Sequence, residues 1–188
     1  WYSGEEGGTA LADVLFGKYN PAGRLPVTFP KSLEQLPPFS DYNMAGRTYR
    51  FMDAEPLYRF GFGLSYTTFE YSNLQLTKNE IAAGETIWLS VDVTNTGTRA
   101  GDEVVQLYVR DVEASVPVPR RHLEGFRRLH LQPGERKTTT FEIAPRQLAA
   151  FDDAGRPFVE PGEFIISIGG GQPDDPAANA ISSTLKVF

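Results

Sequence analysis

The chain contains no cysteine. That removes a disulfide framework and any thiolate chemistry. It fits a reducing cytoplasm and a bacterial periplasm equally well. No apolar run approaches the roughly 20 residues of a membrane-spanning helix. Basic residues are outnumbered, 18 Lys and Arg against 24 Asp and Glu, for a net charge of -6. A nucleic-acid partner is therefore not expected, because phosphate binding needs clustered cations. There are only two histidines, His122 and His130. Neither has a cysteine partner or a third ligand at metal spacing, so surface or core roles outweigh a metal site. The first residue is Trp1 rather than Met, and no signal peptide precedes it. The expectation is a chain cut from something longer, with any targeting signal upstream.

What is present suffices for one to two domains: 188 residues with 40% hydrophobic content. Gly7 to Phe16 is predicted to be a short helix, with Leu11, Val14 and Leu15 at helical spacing. Thr9 is a candidate N-cap, with Asp13 in the early turns, and Gly17 is placed to end the helix. Asn20-Pro21-Ala22-Gly23 is a turn, and Leu25 to Phe29 is extended, kept at an edge by Pro26 and Pro30. No period survives between Lys31 and Glu55, which suggests a long ordered loop. One helix and one short strand cannot enclose a core, so residues 1–54 are expected to pack against further sequence.

From about Phe69 the period becomes two. Leu74 and Leu76 alternate first; then come Ile87, Leu89, Val91 and Val93, with Trp88, Ser90, Asp92 and Thr94 opposite. Val105, Leu107 and Val109 follow, then Thr139, Phe141 and Ile143, then Phe164, Ile166 and Ile168, and lastly Leu185 and Val187. About seven short strands separated by Gly/Pro turns make a β-sandwich. Burying one side chain such as Phe141 or Leu89 is worth roughly 1.5–3 kcal/mol, so two inner faces can hold such a domain without disulfides. The Asp111 to Pro119 loop, with Pro117 and Pro119, is expected to cross between sheets.

The segment joining the two halves, Glu55 to Phe69 (EPLYRFGFGLSYTTF), resembles the junction in family 3 glycoside hydrolases between the sugar-binding α/β domain and the C-terminal fibronectin-III-like domain. Four further blocks carry the likeness. Gly4–Gly17 with Asn20–Phe29 is similar to the last helix and strand of the α/β sandwich domain. Gly46–Phe51 is similar to a loop of the β-xylosidase and β-glucosidase branch. Val91–Gly97, Gly101–Val109 and Leu123–Phe126 resemble the fibronectin-III-like domain, as does Leu131–Glu135. Two positions depart: Arg59 stands where the family more often has Pro, and Ser3 where Pro often precedes the first Gly. Arg59 would stiffen the junction less than Pro, which fixes φ.

The resemblance implies a mainly β protein, a fibronectin-III/immunoglobulin-like β-sandwich preceded by a partial α/β segment. Its divisions would be 1–54, the end of the α/β domain; 55–68, the junction; and 69–188, the sandwich. It implies part of a retaining, exo-acting β-glycosidase for β-glucosides or β-xylosides, partnered by upstream catalytic domains of the same enzyme. No cofactor, nucleic acid or membrane is implied, and in a bacterium a periplasmic or secreted location is favoured over a cytoplasmic one. Retention needs two carboxyl groups about 5–5.5 Å apart. The family's nucleophile and acid/base have no matching position here, so no catalytic residue is assigned and the isolated chain is expected to be inactive.

Other pairs and clusters have simpler explanations. Glu5 and Glu6 precede a helix, where negative charge suits the dipole. Asp152-Asp153 suits a hairpin turn, and Asp174-Asp175 a solvated loop too poor in oxygens for calcium. Gly169-Gly170-Gly171 has no following helix and is a strand end rather than a phosphate loop. Arg120, Arg121, Arg127 and Arg128 suit a solvated strand face or a contact to other domains. The one site candidate is the loop Asp41 to Met52. Tyr42, Tyr49 and Phe51 offer flat faces to a sugar, and Arg47 and Arg50 offer donors. Arg47, Tyr49 and Arg50 are the substrate-binding candidates, with domain packing as the competing role. Two other classes stay open: a carbohydrate-binding module, with Trp88 and Tyr108 as outward aromatics, and a protein–protein interaction sandwich.

Overall fold

The computed structural model describes residues 2–188. Its first helix, α1, spans Gly7–Leu15. Glu6, not Thr9, occupies the N-cap: its carbonyl accepts the first helical bond, from Ala10 N–H, which leaves Thr9 inside the helix. Gly17 follows the last turn at φ +74°, a left-handed geometry that costs glycine little. The apolar stripe of α1 is left open, with Leu11 61% and Leu15 67% exposed.

Leu25 to Phe29 is not continuously extended, because the chain bends at Pro26 and Val27, but both of its ends bond to the junction. Leu25 N–H donates to Phe62 O, Gly61 N–H to Leu25 O, and Phe29 bridges Tyr58. The stretch between them is more structured than its lack of period suggests. It holds a 3₁₀ turn at Leu33–Gln35 and a one-turn helix, α2, at Thr48–Phe51.

Ten strands follow: β1 Phe69–Leu76, β2 Glu80–Ile81, β3 Ile87–Asn95, β4 Gly101–Asp111, β5 His122–Leu131, β6 Arg136–Ile143, β7 Ala150–Phe151, β8 Pro157–Phe158, β9 Gly162–Gly169 and β10 Ile181–Val187. They form a three-stranded sheet, β1-β3-β6, a five-stranded sheet, β2-β10-β9-β4-β5, and the small hairpin β7-β8. The two larger sheets make the sandwich. Alternation dictates its core: Ile87, Leu89, Val91 and Val93 from β3 meet Val105, Leu107 and Val109 from β4, with Phe141, Ile166 and Leu185 among the fill. Asn73, at φ +54°, breaks the β1 register between Ser72 and Gln75, so the inward set changes from Phe69 and Tyr71 to Leu74 and Leu76.

The chain from Asp111 to Pro119 does not cross between sheets. β4 and β5 pair antiparallel in the same sheet, so this segment is a long hairpin loop. The turn at Asp152 is as expected: its Oδ1 accepts from the backbone N–H groups of Ala154 and Arg156, and Gly155 lies at φ +73°. Among the described residues, no helix is long and apolar enough to cross a membrane.

Candidate functional site: the 41–52 loop and its seat on the sandwich

The loop is built around two side chains. Arg47 reaches back to its own loop, donating from Nε to Asn43 O (3.0 Å) and from Nη2 to Pro38 O (3.2 Å) and Asp41 O (2.5 Å). One guanidinium thus satisfies three carbonyls that no helix or sheet uses. The Asp41 carboxyl accepts from the backbone and side chain of Asn43, which holds it below the usual carboxylate range. Thr48, a β-branched residue at φ +56°, starts α2 in a strained conformation.

Tyr49 is the anchor. Its ring stacks on Phe60 at 4.2 Å with an 11° interplanar angle and meets Tyr108 edge-on at 6.2 Å. Its hydroxyl accepts from the Leu123 backbone N–H at 3.0 Å. Arg50 Cζ lies over the same ring, 5.9 Å from the Tyr49 centroid, and the Arg50 carbonyl accepts from Arg120 N–H. A mostly apolar groove of about 540 Å³ runs along this loop, walled by Pro26, Met44, Thr48, Tyr49, Met52 and Phe60 and flanked by Arg47 and Arg50. Thr28 Oγ1 is buried beside it without a hydrogen-bond partner. Tyr42 is exposed, and Phe51 is partly buried.

This packing overturns one expectation about the sheet. Tyr108 occupies an outward position on β4, but it is only 1% exposed, because Tyr49 and the junction cover that face. Burial pushes its phenol well up. Its hydroxyl donates to Gln106 Oε1 (2.7 Å), and Gln106 Nε2 donates to Gly61 O (3.1 Å) and Gly170 O (2.8 Å). Gly61 sits at φ +81°, and a Cβ there would come within 2.3 Å of Gln106 Oε1. A side chain at residue 61 would therefore have to displace the Gln106 amide and the Tyr108 hydroxyl.

Three further polar contacts fasten the same seam. Arg24 donates to Glu103 Oε2 at 2.8 Å, while Tyr71 O–H donates to Glu103 Oε1 at 2.6 Å. Burial raises the Glu103 carboxyl, and the Arg24 charge and the Tyr71 hydrogen bond oppose that rise. Burial, then the Glu103 charge, push the Tyr71 phenol well up. Arg59, the departure at the junction, pairs with Asp174 at 2.9 Å, and Arg121 holds the same carboxylate at 2.9 Å. Asp174 is thus ion-paired rather than merely solvated. Gln172 Nε2 donates to Phe60 O. At the other end, Asn95 accepts from Thr67 and Gly97 and donates to Arg99 O and Leu131 O, which satisfies the whole amide.

The basic cluster is absorbed in the same way. Arg120 pairs with Asp53, Arg121 with Asp174, and Arg128 and His130 with Asp102, while Arg127 covers Phe141. Trp88 is 49% exposed on β3 opposite Glu142, with no other aromatic in its pairing line.

Comparison with known proteins agrees with this architecture. Residues 1–66 match the model of the glycosyl hydrolase family 3 C-terminal domain, and residues 103–172 match that of the fibronectin type III-like domain. The chain belongs to glycosyl hydrolase family 3, as a part of its C-terminal region. It is 44% identical to a β-xylosidase of Formosa agariphila over 99% of this chain and 26% of that protein. It is 43% identical to a periplasmic β-glucosidase of Salmonella typhimurium over 90% of this chain and 24% of that one. Among solved structures, β-glucosidase 3B of Thermotoga neapolitana superposes with a TM-score of 0.85 at 36% identity, covering 99% of this chain and 27% of that one. A β-glucosidase of Erythrobacter marinus gives 0.83 at 40% identity, covering 98% and 24%. The chain thus spans about a quarter of the length of the curated relatives it matches.

Proposed function

We propose that this chain is the domain-bracing C-terminal part of a retaining, exo-acting β-glycosidase that hydrolyses β-glucosides or β-xylosides. The observation that carries this is identity above 40% along nearly the whole chain to a β-xylosidase and a β-glucosidase. In this reading the nucleophile and the acid/base come from sequence outside residues 1–188, in the same enzyme. The chain divides at 1–54, 55–68 and 69–188; the Arg24–Glu103 contact ties the first of these to the last, and Arg59–Asp174 ties the junction to the last. A periplasmic or secreted location belongs to the same proposal.

Within it, Arg47, Tyr49 and Arg50 form a loop that faces substrate. Arg47 and Tyr49 already hold the loop in shape, which leaves the exposed Arg50 guanidinium to donate to a sugar hydroxyl. The test is hydrolysis of aryl β-glucoside and aryl β-xyloside by the whole enzyme, with the anomer of the product read by NMR. Turnover of either with retained configuration supports the proposal; turnover of neither, or inversion, removes it. Arg47→Ala in the same enzyme separates the loop's roles. A fall in stability alone assigns Arg47 to packing, and unchanged kcat/KM with unchanged stability ends its part in the site.

A further inference from the structure

One end of the sandwich carries a second cleft of about 340 Å³, separate from the groove along the 41–52 loop except that Arg50 borders both. It lies between the 112–121 loop, the start of β5 and the segment from the Pro145–Gln147 turn into β7, and Arg50 reaches its rim from α2. That size falls within the range of small-molecule pockets, which occur preferentially where two structural units meet.

Its lining is chemically unfinished. Among the described residues, Arg50 and Arg146 make no ion pair and their guanidinium groups no hydrogen bond, although eleven of the remaining Lys and Arg side chains pair with carboxylates. Asp111, partly buried, also has no Lys or Arg within salt-bridge distance. Burial and the Glu160 charge beside it raise its carboxyl, against a backbone bond from Glu113 and the nearby His122. His122 gives Nδ1 to Glu124 at 2.6 Å and leaves Nε2 unpartnered. Phe151, 60% exposed, supplies an apolar wall. The cleft therefore presents exposed guanidinium donors and a partly buried carboxylate acceptor that do not satisfy each other, beside an aromatic ring. A polyhydroxylated ring suits such a surface, because each hydroxyl both donates and accepts while the C–H face packs on the aromatic. A simple anion does not, since Asp111 and Glu124 would oppose it.

We propose that this cleft binds a neutral pyranose unit of a β-linked oligosaccharide, with Asp111 accepting from its hydroxyls, Arg146 donating to them, and Phe151 against the ring. The choice of sugar rests on the glycosidase reading; the site itself rests on the lining.

The test uses the whole enzyme after covalent inactivation by a 2-deoxy-2-fluoro glycoside, titrated calorimetrically with xylobiose and with cellobiose. Stoichiometric labelling by the inhibitor checks the glycosidase reading separately. The expected result is saturable binding of at least one disaccharide to the labelled enzyme. Asp111→Asn and Arg146→Ala should each weaken it at least tenfold, with the melting temperature kept and turnover of an aryl glycoside unchanged before labelling. Binding that both variants leave intact, or no binding by a fully labelled enzyme, overturns the proposal. Phe151→Ala gives an independent check: if Asp111→Asn proves unstable, unaltered affinity in Phe151→Ala and Arg146→Ala is enough to reject the site.

Discussion

Arg24 Nη2 lies 2.8 Å from Glu103 Oε2, joining a turn before the junction to a strand 79 residues later. Both side chains are largely withdrawn from solvent, and Tyr71 from the opposite sheet closes the other carboxylate oxygen. Removing one member of a buried pair strands the other, at a cost of about 3–5 kcal/mol. Glu103→Ala and Arg24→Ala should each destabilise by about that much, and the double variant by clearly less than their sum. Denaturant unfolding of the four proteins measures this; additive losses would mean that the two groups do not act as a pair.

The same carboxyl predicts a pH dependence. Burial raises it above 4.5, so the folded state holds its proton more tightly than the unfolded state. Its contribution to stability is then fullest below the unfolded value and is lost as pH rises through the folded one. Relative to Glu103→Gln, which cannot ionise, the wild type should lose stability as pH rises from about 4.5. Melting curves of both proteins from pH 4 upward read the difference, and a flat difference would contradict it.

Gly61 should not accept a side chain. Gly61→Ala adds left-handed strain of about 1–2 kcal/mol and displaces a Gln106 bond worth about 1 kcal/mol. The expected loss is about 2–3 kcal/mol by denaturant unfolding. Gly134→Ala, also at positive φ but with open space around it, should lose only the strain.

Tyr49 separates packing from hydrogen bonding. Tyr49→Phe keeps the Phe60 stack and leaves the Leu123 N–H without its acceptor, for a loss of about 1 kcal/mol. Tyr49→Ala also loses the stack, for about 3–5 kcal/mol, and should expose Tyr108. Equal losses in the two variants would mean that the ring contributes nothing to the seat.

Much of the sandwich was legible because period-two patterning names both faces, and the inward residues of β3, β4, β6 and β9 are those the alternation gives. The β4–β5 hairpin was not, since loop length alone does not say whether a strand returns to the same sheet. The Asn73 bulge was hidden because one residue in left-handed backbone reverses the faces without leaving a Gly or Pro mark. Glu103 did leave a signal. It shares parity with Val105, Leu107 and Val109, and a carboxylate on an inward face needs a partner. Arg24 could not be named as that partner from sequence, because the contact spans the junction. Tyr108 was misplaced for the same reason: alternation gives the face, not what lies on it. At the candidate loop, the residue types were legible, but the inward use of Arg47 was not, because free carbonyls in an irregular loop leave no pattern.

The most direct measurement is hydrolysis of aryl β-glucoside and aryl β-xyloside by the whole enzyme, by the enzyme with residues 1–188 deleted, and by that deletion with the 188-residue chain added back. If this chain braces the catalytic domains, the intact enzyme is active, deletion abolishes activity, addition restores it, and the added chain alone shows none. Full activity in the deletion, or turnover of neither substrate by the intact enzyme, would contradict that role.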